Sequence, residues 1–176
     1  MRTVTYGAAC TLDGFIAGKD GEIDWLQMSK DVSRIMRDYW KSVDTILMGR
    51  KTWDVALKMG GGGSAPGMRT FVFSRTLGSI DIKGVELVRD DAAAVVRELK
   101  EGPGKGICMM GGGNFARSLF AADLIDEVGM NVHPILLGAG VPLFTDAGRR
   151  VPLELISSRC IAGGCVYSTY RVKHAD

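Results

Sequence analysis

Two cations follow a short apolar strand in the segment ILMGRKTW (residues 46–53). Gly49 allows the chain to turn where the strand ends, and Arg50 and Lys51 stand at the predicted start of a helix. Cations at a helix N-terminus cost a few tenths of a kcal/mol up to about 1 kcal/mol, because the helix dipole is positive there. A bound anion or the surrounding solvent would compensate for this repulsion, so the segment is a candidate anion site.

A second candidate anion site is the glycine run in ICMMGGGNFARSLF (residues 107–120). An apolar strand, three glycines and a predicted helix follow one another there, and residues 111–116 match the pattern G-x-G-x-x-A. Glycine allows a backbone to pass close to a bulky anion, and a helix N-terminus offers unpaired N–H groups. A tight turn that needs glycine only for close packing is the alternative explanation, and the sequence leaves it open.

A third apolar segment, FVFSR (residues 71–75), ends in Ser74 and Arg75. Ligands of open α/β sheets bind beyond the carboxyl ends of the strands, so these strand ends together would supply glycines, hydroxyl groups and cations. This set fits a ligand with a pyrophosphate and one further phosphate, such as NADPH. The sequence has no G-K-[ST] triplet of a P-loop, and its glycine run does not follow the first predicted strand, as it would in a Rossmann fold.

The composition excludes several other functions. With 176 residues, 46% of them apolar and 24% charged, the chain is expected to form one domain with a core. The net charge of +2 is too small to indicate a nucleic-acid surface. No apolar run approaches the ~18 residues of a membrane span, and we expect a cytoplasmic protein without a signal peptide. The four cysteines and two histidines lack the spacing of a metal site or a disulfide framework, so no metal is predicted.

Strand and helix patterns alternate along most of the chain. Apolar residues at positions 32, 35, 36, 39 and 40 predict an amphipathic helix with Ser29 as its N-cap. Further helices are predicted from near Lys51, after Asp90 or Asp91, and after the glycine run. Strands are predicted at residues 3–10, 45–48, 70–74, 85–88 and 105–110.

The C-terminal part of the chain has strand patterns in succession rather than alternating strand and helix patterns. VGMNVHPILLG, LELISSRCIA and CVYSTYRV predict three strands, the last two joined by a turn at Gly163-Gly164, and GGGGSAPG (residues 60–67) predicts a flexible loop. The predicted fold is a single α/β domain over residues 1–176. It contains one mixed, mostly parallel sheet of about eight strands, covered on both faces by about four helices, with a C-terminal antiparallel hairpin.

Five segments resemble the dihydrofolate reductase fold in their order and spacing, and together they cover nearly the whole chain. They are MGRKTW (48–53), the P-G-x-R-x-F-V-F-S-R run (66–75), the strand–GGG–helix segment (107–120), YGAACTLDGFIAG (6–18), and LIDEV with HPILLGAGVPLF (124–144). The last two resemble one branch more closely. This branch is the C-terminal reductase domain of the bifunctional deaminase–reductases of riboflavin biosynthesis, together with its stand-alone relatives.

The resemblance implies an NADPH site and assigns its residues to four groups. These are Ala9 and Ile16 beside the nicotinamide ring; Gly49, Arg50, Lys51 and Thr52 along the phosphates; Ser74 and Arg75 at the adenosine ribose and its 2′-phosphate; and Gly111, Gly112, Gly113 and Asn114 against the pyrophosphate. The cations of MGRKTW would then face phosphate groups, which favours NADPH over NADH.

The sequence also departs from dihydrofolate reductases. In that family an arginine directly follows the glycine of the P-G motif and binds the glutamate tail of folate, whereas Met68 stands here and Arg69 comes one position later. Asp31 is the nearest match to the active-site carboxylate and is our candidate proton donor, although it lies further from MGR than in the family. A role in stabilising the helix N-terminus is the alternative. Asp13 and Trp25 are candidate substrate contacts, with a turn role and core packing as the alternatives.

The predicted activity is an NADPH-dependent reductase. It would transfer hydride to a C=N or C=O group of a small heterocyclic or ribosylamino-pyrimidine-type substrate, as a 5-amino-6-(5-phosphoribosylamino)uracil reductase does. The alternatives are a dihydrofolate reductase that acts on folate and a non-catalytic nucleotide-binding protein on the same fold. The deaminase signature H-x-E with P-C-x-x-C is absent from the sequence. The resemblance and the apolar C-terminal strands also predict a homodimer.

Overall fold

Ten strands and four helices occur in the part of the chain that the computed structural model describes, residues 1–61, 67–146 and 148–174. The strands are β1 (Val4–Thr11), β2 (Phe15–Ala17), β3 (Val43–Gly49), β4 (Arg69–Phe73), β5 (Val85–Val88), β6 (Gly106–Met110), β7 (Glu127–His133), β8 (Val141–Pro142), β9 (Leu153–Ile161) and β10 (Cys165–Val172). The helices are α1 (Lys30–Ser42), α2 (Arg50–Lys58), α3 (Ala92–Glu101) and α4 (Gly113–Ala121). The predicted glycine-rich loop falls largely on residues 62–66, outside the described residues.

Eight of the strands form one sheet in the order β5-β4-β3-β6-β1-β7-β10-β9. The first six are mutually parallel, while β10 is antiparallel to β7 and β9 is antiparallel to β10. The predicted mixed, mostly parallel sheet with a C-terminal hairpin is therefore confirmed.

The register of the parallel strands brings their carboxyl ends to one edge of the sheet. Met48 near the end of β3 lies beside Met110 at the end of β6, and Thr11 at the end of β1 lies beside His133 at the end of β7. We call this edge the carboxyl edge. Every segment in which the sequence predicts a cofactor contact either follows a strand at this edge or lies in β1 and β2.

The two faces of the sheet carry separate buried clusters. The larger cluster lies under α3 and α4 and includes Tyr6, Leu47, Met109, Leu119 and Val128. The smaller one lies under α2 on the opposite face and is formed by Met48, Trp53, Val72 and Val85. Neighbouring strand residues such as Leu47 and Met48 belong to different clusters because successive side chains point to opposite faces.

Three details differ from the predictions. The strand predicted as VGMNVHPILLG ends at His133, because Pro134 has no N–H group to continue the ladder. The short antiparallel pair of β2 and β8 was not predicted, since segments of three and two residues are too short to show alternation.

Helices cover both faces of the sheet, as predicted, and the third difference concerns only its edge strand β9. Every residue from Leu153 to Cys160 is exposed, because no helix extends over this edge strand. Among the described residues, no helix is long and apolar enough to cross a membrane.

Candidate functional site

Two helices begin with a glycine at the carboxyl edge. Gly49 is the N-cap of α2 and Gly112 that of α4, and neither helix has a side-chain cap or an acidic residue in its first turn. By contrast, α1 is capped by Ser29 Oγ, as predicted, and α3 by the carboxylate of Asp91. Since β3 and β6 are neighbours, the uncapped N–H groups of α2 and α4 lie side by side, an arrangement that suits an anion.

The three glycines after β6 have different structural roles. Gly111 has a φ of 108°, and a Cβ atom there would overlap the side chain of Thr52 in the first turn of α2. A Cβ atom at Gly113 would lie 2.9 Å from the carbonyl oxygen of Leu143. Close packing therefore explains Gly111 and Gly113. It does not explain Gly112, where a Cβ atom would meet only Ile16 Cδ1, at 4.0 Å.

The cations at the start of α2 differ in their contacts. Arg50 Nη1 donates a hydrogen bond of 2.7 Å to Thr76 Oγ1, and its Nε lies 3.6 Å from a carboxylate oxygen of Asp54. Arg50 thus connects α2 with the segment after β4. Lys51 is exposed and has no hydrogen bond or ion pair within the described ranges. Asn114, at the second position of α4, is also exposed.

A cleft of about 240 Å³ lies beyond the ends of β4 and β5. Ser74 and Arg75 line it, as does Arg89, which the sequence analysis did not single out. Arg89 Nη2 donates a 2.5 Å hydrogen bond to the carbonyl oxygen of Gly78, which holds a second guanidinium beside Arg75. The signal for Arg89 was its position directly after the strand VELV, which matches the position of Arg75 after FVFS.

The same cleft contains features that limit its positive charge. Asp90 and Asp91 also line it, although Asp91 is engaged as the N-cap of α3, where it accepts a 3.2 Å hydrogen bond from Ala94 N. Ser74 Oγ accepts the N–H of Leu77 at 3.1 Å and so shapes the turn after β4. The Ser74 hydroxyl keeps its own hydrogen for donation to a ligand.

The two residues predicted beside the nicotinamide, Ala9 and Ile16, lie in β1 and β2. Ala9 is half-buried and lies beside Asn131 of β7 in the register. Ile16 is half-buried in β2 and lies near Gly112, so it borders the loop after β6. Ala9 and Ile16 are therefore both partly accessible near the carboxyl edge.

A buried polar group lies at the end of β7. The ring of Trp25 packs edge-to-face against that of His133, with centroids 5.2 Å apart, and both residues are buried. His133 Nε2 lies 3.1 Å from Asn131 Nδ2, and His133 Nδ1 lies 3.4 Å from Cys165 Sγ. Burial lowers the pKa of His133, which favours the neutral ring. With Asn131 donating to Nε2, the hydrogen of the neutral ring is assigned to Nδ1 and points at Cys165.

Two atoms around His133 are buried without a hydrogen-bond partner. They are Trp25 Nε1, a donor, and Asn131 Oδ1, an acceptor. Buried polar atoms are almost always paired, so this donor and acceptor are candidates for ligand contacts. Asn131 was missed by the sequence analysis, although a polar residue in the middle of the apolar strand VGMNV was the available signal.

Asp31 lies in the first turn of α1, where both of its oxygens have partners. Oδ1 accepts a 2.8 Å hydrogen bond from Arg34 Nη2, and Oδ2 accepts a 3.1 Å hydrogen bond from the backbone N–H of Ala162. Asp31 therefore connects α1 to the turn between β9 and β10. It also stands where an acidic residue stabilises a helix N-terminus.

Asp13 joins two loops at the carboxyl edge. It accepts hydrogen bonds from Thr11 Oγ1 at 2.6 Å, from Leu137 N at 3.0 Å and from Gly138 N at 2.8 Å. The hydrogen bond from Thr11, followed by those from the backbone, lowers the pKa of the Asp13 carboxyl group. Within the described ranges, no three Cys, His, Asp or Glu side chains are grouped as metal ligands.

The comparisons with known proteins agree with this fold. The family model described as the RibD C-terminal domain matches residues 2–167. An uncharacterised Bacillus subtilis (strain 168) protein, YyaP, is 34% identical over an alignment of 181 positions, which covers 97% of this chain and 95% of YyaP.

Two solved structures are similar over almost the whole chain. A Shewanella sp. PV-4 protein, provisionally assigned to riboflavin biosynthesis, is 27% identical with a TM-score of 0.83, covering 98% of this chain and 99% of that one. Dihydrofolate reductase from Enterococcus faecalis, complexed with NADP(H) and RAB-propyl, is 16% identical with a TM-score of 0.68, covering 98% and 97%. At that identity the second likeness concerns the fold alone.

Alanine substitutions should distinguish the glycine that is required for close packing from the glycine that is not. Gly111→Ala should lower the free energy of unfolding by about 1–3 kcal/mol, because the new methyl group overlaps Thr52 at a positive φ. Gly112→Ala is the matched control and should leave it nearly unchanged. Urea unfolding followed by circular dichroism measures both. Equal losses in the two variants would contradict the different roles assigned to these glycines.

The burial of His133 predicts a pH dependence of stability. As the pH falls below the ordinary histidine pKa of about 6.5, the unfolded chain takes up a proton that the folded chain resists, so stability is lost. Between about pH 7.5 and about pH 5.5, the wild type should lose up to about 1 kcal/mol more than His133→Gln. Urea unfolding of both proteins at the two pH values tests this, since their carboxylates titrate alike. An equal acid-induced loss would contradict a lowered pKa of His133 in the folded chain.

Proposed function

The chain belongs to the RibD C-terminal domain family, and on this basis we propose that it is an NADPH-dependent reductase. This family consists of NADPH-dependent reductases. The observation that carries the proposal is the pair of uncapped N-termini of α2 and α4, with Gly112 facing open space between them and Ile16. Such a pair fits the two phosphates of a dinucleotide.

We propose a position for each of the other parts of NADPH. The pyrophosphate would lie against the first turns of α2 and α4, near Lys51 and Gly112. The 2′-phosphate of the adenosine would occupy the cleft between Arg75 and Arg89, where a guanidinium can bind phosphate through two hydrogen bonds. The nicotinamide would extend towards Ile16 and Ala9. The carboxylates of Asp90 and Asp91 in the same cleft reduce the net positive charge there.

Bound NADPH would supply the hydride, and the protein would orient the two rings and exclude water. We propose a positioning role for Asp31, because its two oxygens are already engaged by Arg34 and Ala162. Asp13 would act in a similar way, since it fixes the loops after β1 and β7 beside the nicotinamide position. Neither carboxylate then needs to touch the substrate.

We further propose that the substrate is a heterocycle with adjacent N–H and C=O groups, such as a pyrimidine. Asn131 Oδ1 would accept from the N–H group and Trp25 Nε1 would donate to the C=O group. Both atoms are shielded from solvent in this structure, so the segment 18–29 must move aside for the substrate to reach them. This pair supports a ribosylamino-pyrimidine-type substrate, as in the family's uracil reductase activity.

One observation favours such a substrate over folate. Met68 replaces the arginine that binds the folate tail in dihydrofolate reductases. The next arginine, Arg69, forms an ion pair with Glu86 of the neighbouring strand at 2.8 Å. No arginine therefore takes the place of the missing folate contact within the P-G motif.

Cofactor preference tests the nucleotide site. Tryptophan fluorescence titrations should give a dissociation constant for NADPH at least about tenfold below that for NADH, a difference of about 1.4 kcal/mol. Arg75→Ala should remove most of this difference by weakening NADPH binding only. Arg69→Ala, at the start of β4 and paired with Glu86, is the control and should change neither. Equal losses for both cofactors in Arg75→Ala would contradict the 2′-phosphate assignment.

Turnover tests the substrate class. NADPH oxidation should be observed with the ribosylamino-pyrimidine substrate of the uracil reductases and should be much slower with dihydrofolate. Asn131→Leu should raise the KM for the pyrimidine by about tenfold or more, because one hydrogen bond to the ring is lost. Brisk turnover of dihydrofolate would reverse the preference. Binding of NADPH without turnover of any carbonyl or imine substrate would support a non-catalytic role.

A further inference from the structure

We propose that Asp90 accepts a hydrogen bond from the 2′-hydroxyl group of NADH, so that the nucleotide site takes NADH as a second, weaker cofactor. This inference rests on the proposed function, because it needs a bound dinucleotide. Asp90 comes two positions after β5 and lines the cleft of about 240 Å³ in which the 2′ position of the adenosine ribose is proposed to lie. Its carboxylate is therefore at the position where the two cofactors differ.

The charged side chains that line this cleft are two cations and two carboxylates. The cations are Arg75 and Arg89, and the carboxylates belong to Asp90 and Asp91. A site restricted to a 2′-phosphate needs an excess of cations, since a phosphate monoester carries a charge of about −1.5 to −2. The two carboxylates offset the two guanidinium groups in number. Charge therefore does not restrict the cleft to an anionic ligand.

The two carboxylates differ in their availability. Asp91 is the N-cap of α3 and accepts a 3.2 Å hydrogen bond from Ala94 N, so it stabilises the helix. Asp90 is exposed, and its carboxylate has no hydrogen bond or ion pair within residues 1–61, 67–146 and 148–174. Its contribution to the fold is limited to the favourable position of an acidic residue near a helix N-terminus. Asp90 is thus the carboxylate that is free to contact a ligand.

The two guanidinium groups are also unequal. Arg89 Nη1 and Nη2 donate hydrogen bonds to the carbonyl oxygens of Arg75 and Gly78, at 3.5 Å and 2.5 Å. Part of the hydrogen-bonding capacity of Arg89 is therefore used to hold the loop after β4. The Arg75 guanidinium has no such partner in the described part of the chain. The cleft thus presents one free cation and one free carboxylate.

These two free groups suit different cofactors. In dinucleotide-binding proteins an arginine accommodates the 2′-phosphate of NADP, whereas a carboxylate accepts a hydrogen bond from the 2′-hydroxyl group of NAD. A carboxylate also repels a phosphate group placed near it. Arg75 therefore favours NADPH, and Asp90 reduces that preference because it stabilises bound NADH and destabilises bound NADPH.

Cofactor titrations of two Asp90 variants test this assignment. Dissociation constants for NADPH and NADH are measured by tryptophan fluorescence at low salt, about 50 mM KCl, where charge repulsion is weakly screened. Asp90→Asn should bind NADPH about fivefold more tightly, because one negative charge near the 2′-phosphate is removed. Asp90→Ala should bind NADH about fivefold more weakly, because the hydroxyl group loses its acceptor. General damage to the fold would not tighten the binding of one cofactor and weaken that of the other.

Asp81→Asn is the matched control. It removes the same charge from the segment between β4 and β5, where Asp81 is exposed and does not line the cleft. It should change neither dissociation constant. Raising the KCl concentration to about 500 mM should reduce the difference between Asp90→Asn and the wild type in NADPH binding, since salt screens the repulsion. Thermal unfolding followed by circular dichroism checks that all three variants fold.

The possible failures separate this inference from the proposed function. If NADPH binding depends on Arg75 but is the same in Asp90→Asn and the wild type, Asp90 does not act at the 2′ position and the proposed function still holds. Unchanged NADH affinity in Asp90→Ala would also overturn the inference. An equal effect of Asp81→Asn would show a general effect of net charge and overturn it as well. Binding of neither cofactor to the wild type would overturn the proposed function, and this inference with it.

Discussion

The close approach of Gly111 to Thr52 holds the candidate nucleotide site together. Parallel pairing of β3 with β6 brings the starts of α2 and α4 to the same edge, but it does not by itself fix the loop between β6 and α4. The contact between Gly111 and Thr52 fixes it, since the backbone of one loop lies directly against the first turn of the other helix. Two helix N-termini without side-chain caps are thereby held close to each other.

Other contacts at the carboxyl edge connect the neighbouring loops with these helix N-termini and with one another. Arg50 connects the start of α2 with the segment after β4, and Arg89 holds the loop that carries Arg75. Asp13 joins the loops after β1 and β7. The ligand-facing edge is thus built from loops that are hydrogen-bonded to one another rather than only to their own strands. Such mutual support reduces the ordering that a bound ligand must impose.

The proposed substrate site depends instead on the cost of burying polar atoms. His133, Asn131, Trp25 and Cys165 lie in a buried region where an unpaired polar atom is costly. The His133 ring pairs with the amide nitrogen of Asn131, and the amide oxygen of Asn131 has no partner. The N–H group of Trp25, whose ring packs against His133, has no partner either. Leaving this donor and this acceptor buried without partners destabilises the fold. A ligand with matching groups would remove that destabilisation on binding. This is why the pair is informative about substrate chemistry.

The sequence by itself determined most of the elements and indicated the glycines at which two of the helices begin. Periodicity located α1 and its Ser29 cap, and glycines after apolar strands indicated the starts of α2 and α4. These features are local, since propensity, capping and turn chemistry depend on neighbouring residues. The family also followed from segments that the sequence carries in a characteristic order.

Only the tertiary structure decided which side chains meet. Asp31 bonds to Ala162, 131 positions away, and Asp13 bonds to Leu137, 124 positions away. Such contacts depend on strand register and loop path, which local patterns do not specify. The same holds for Asn131, whose amide nitrogen pairs with His133 while its amide oxygen is buried without a partner. The exposure of β9 was also decided only by the fold, because an apolar strand has the same sequence pattern whether or not a helix covers it.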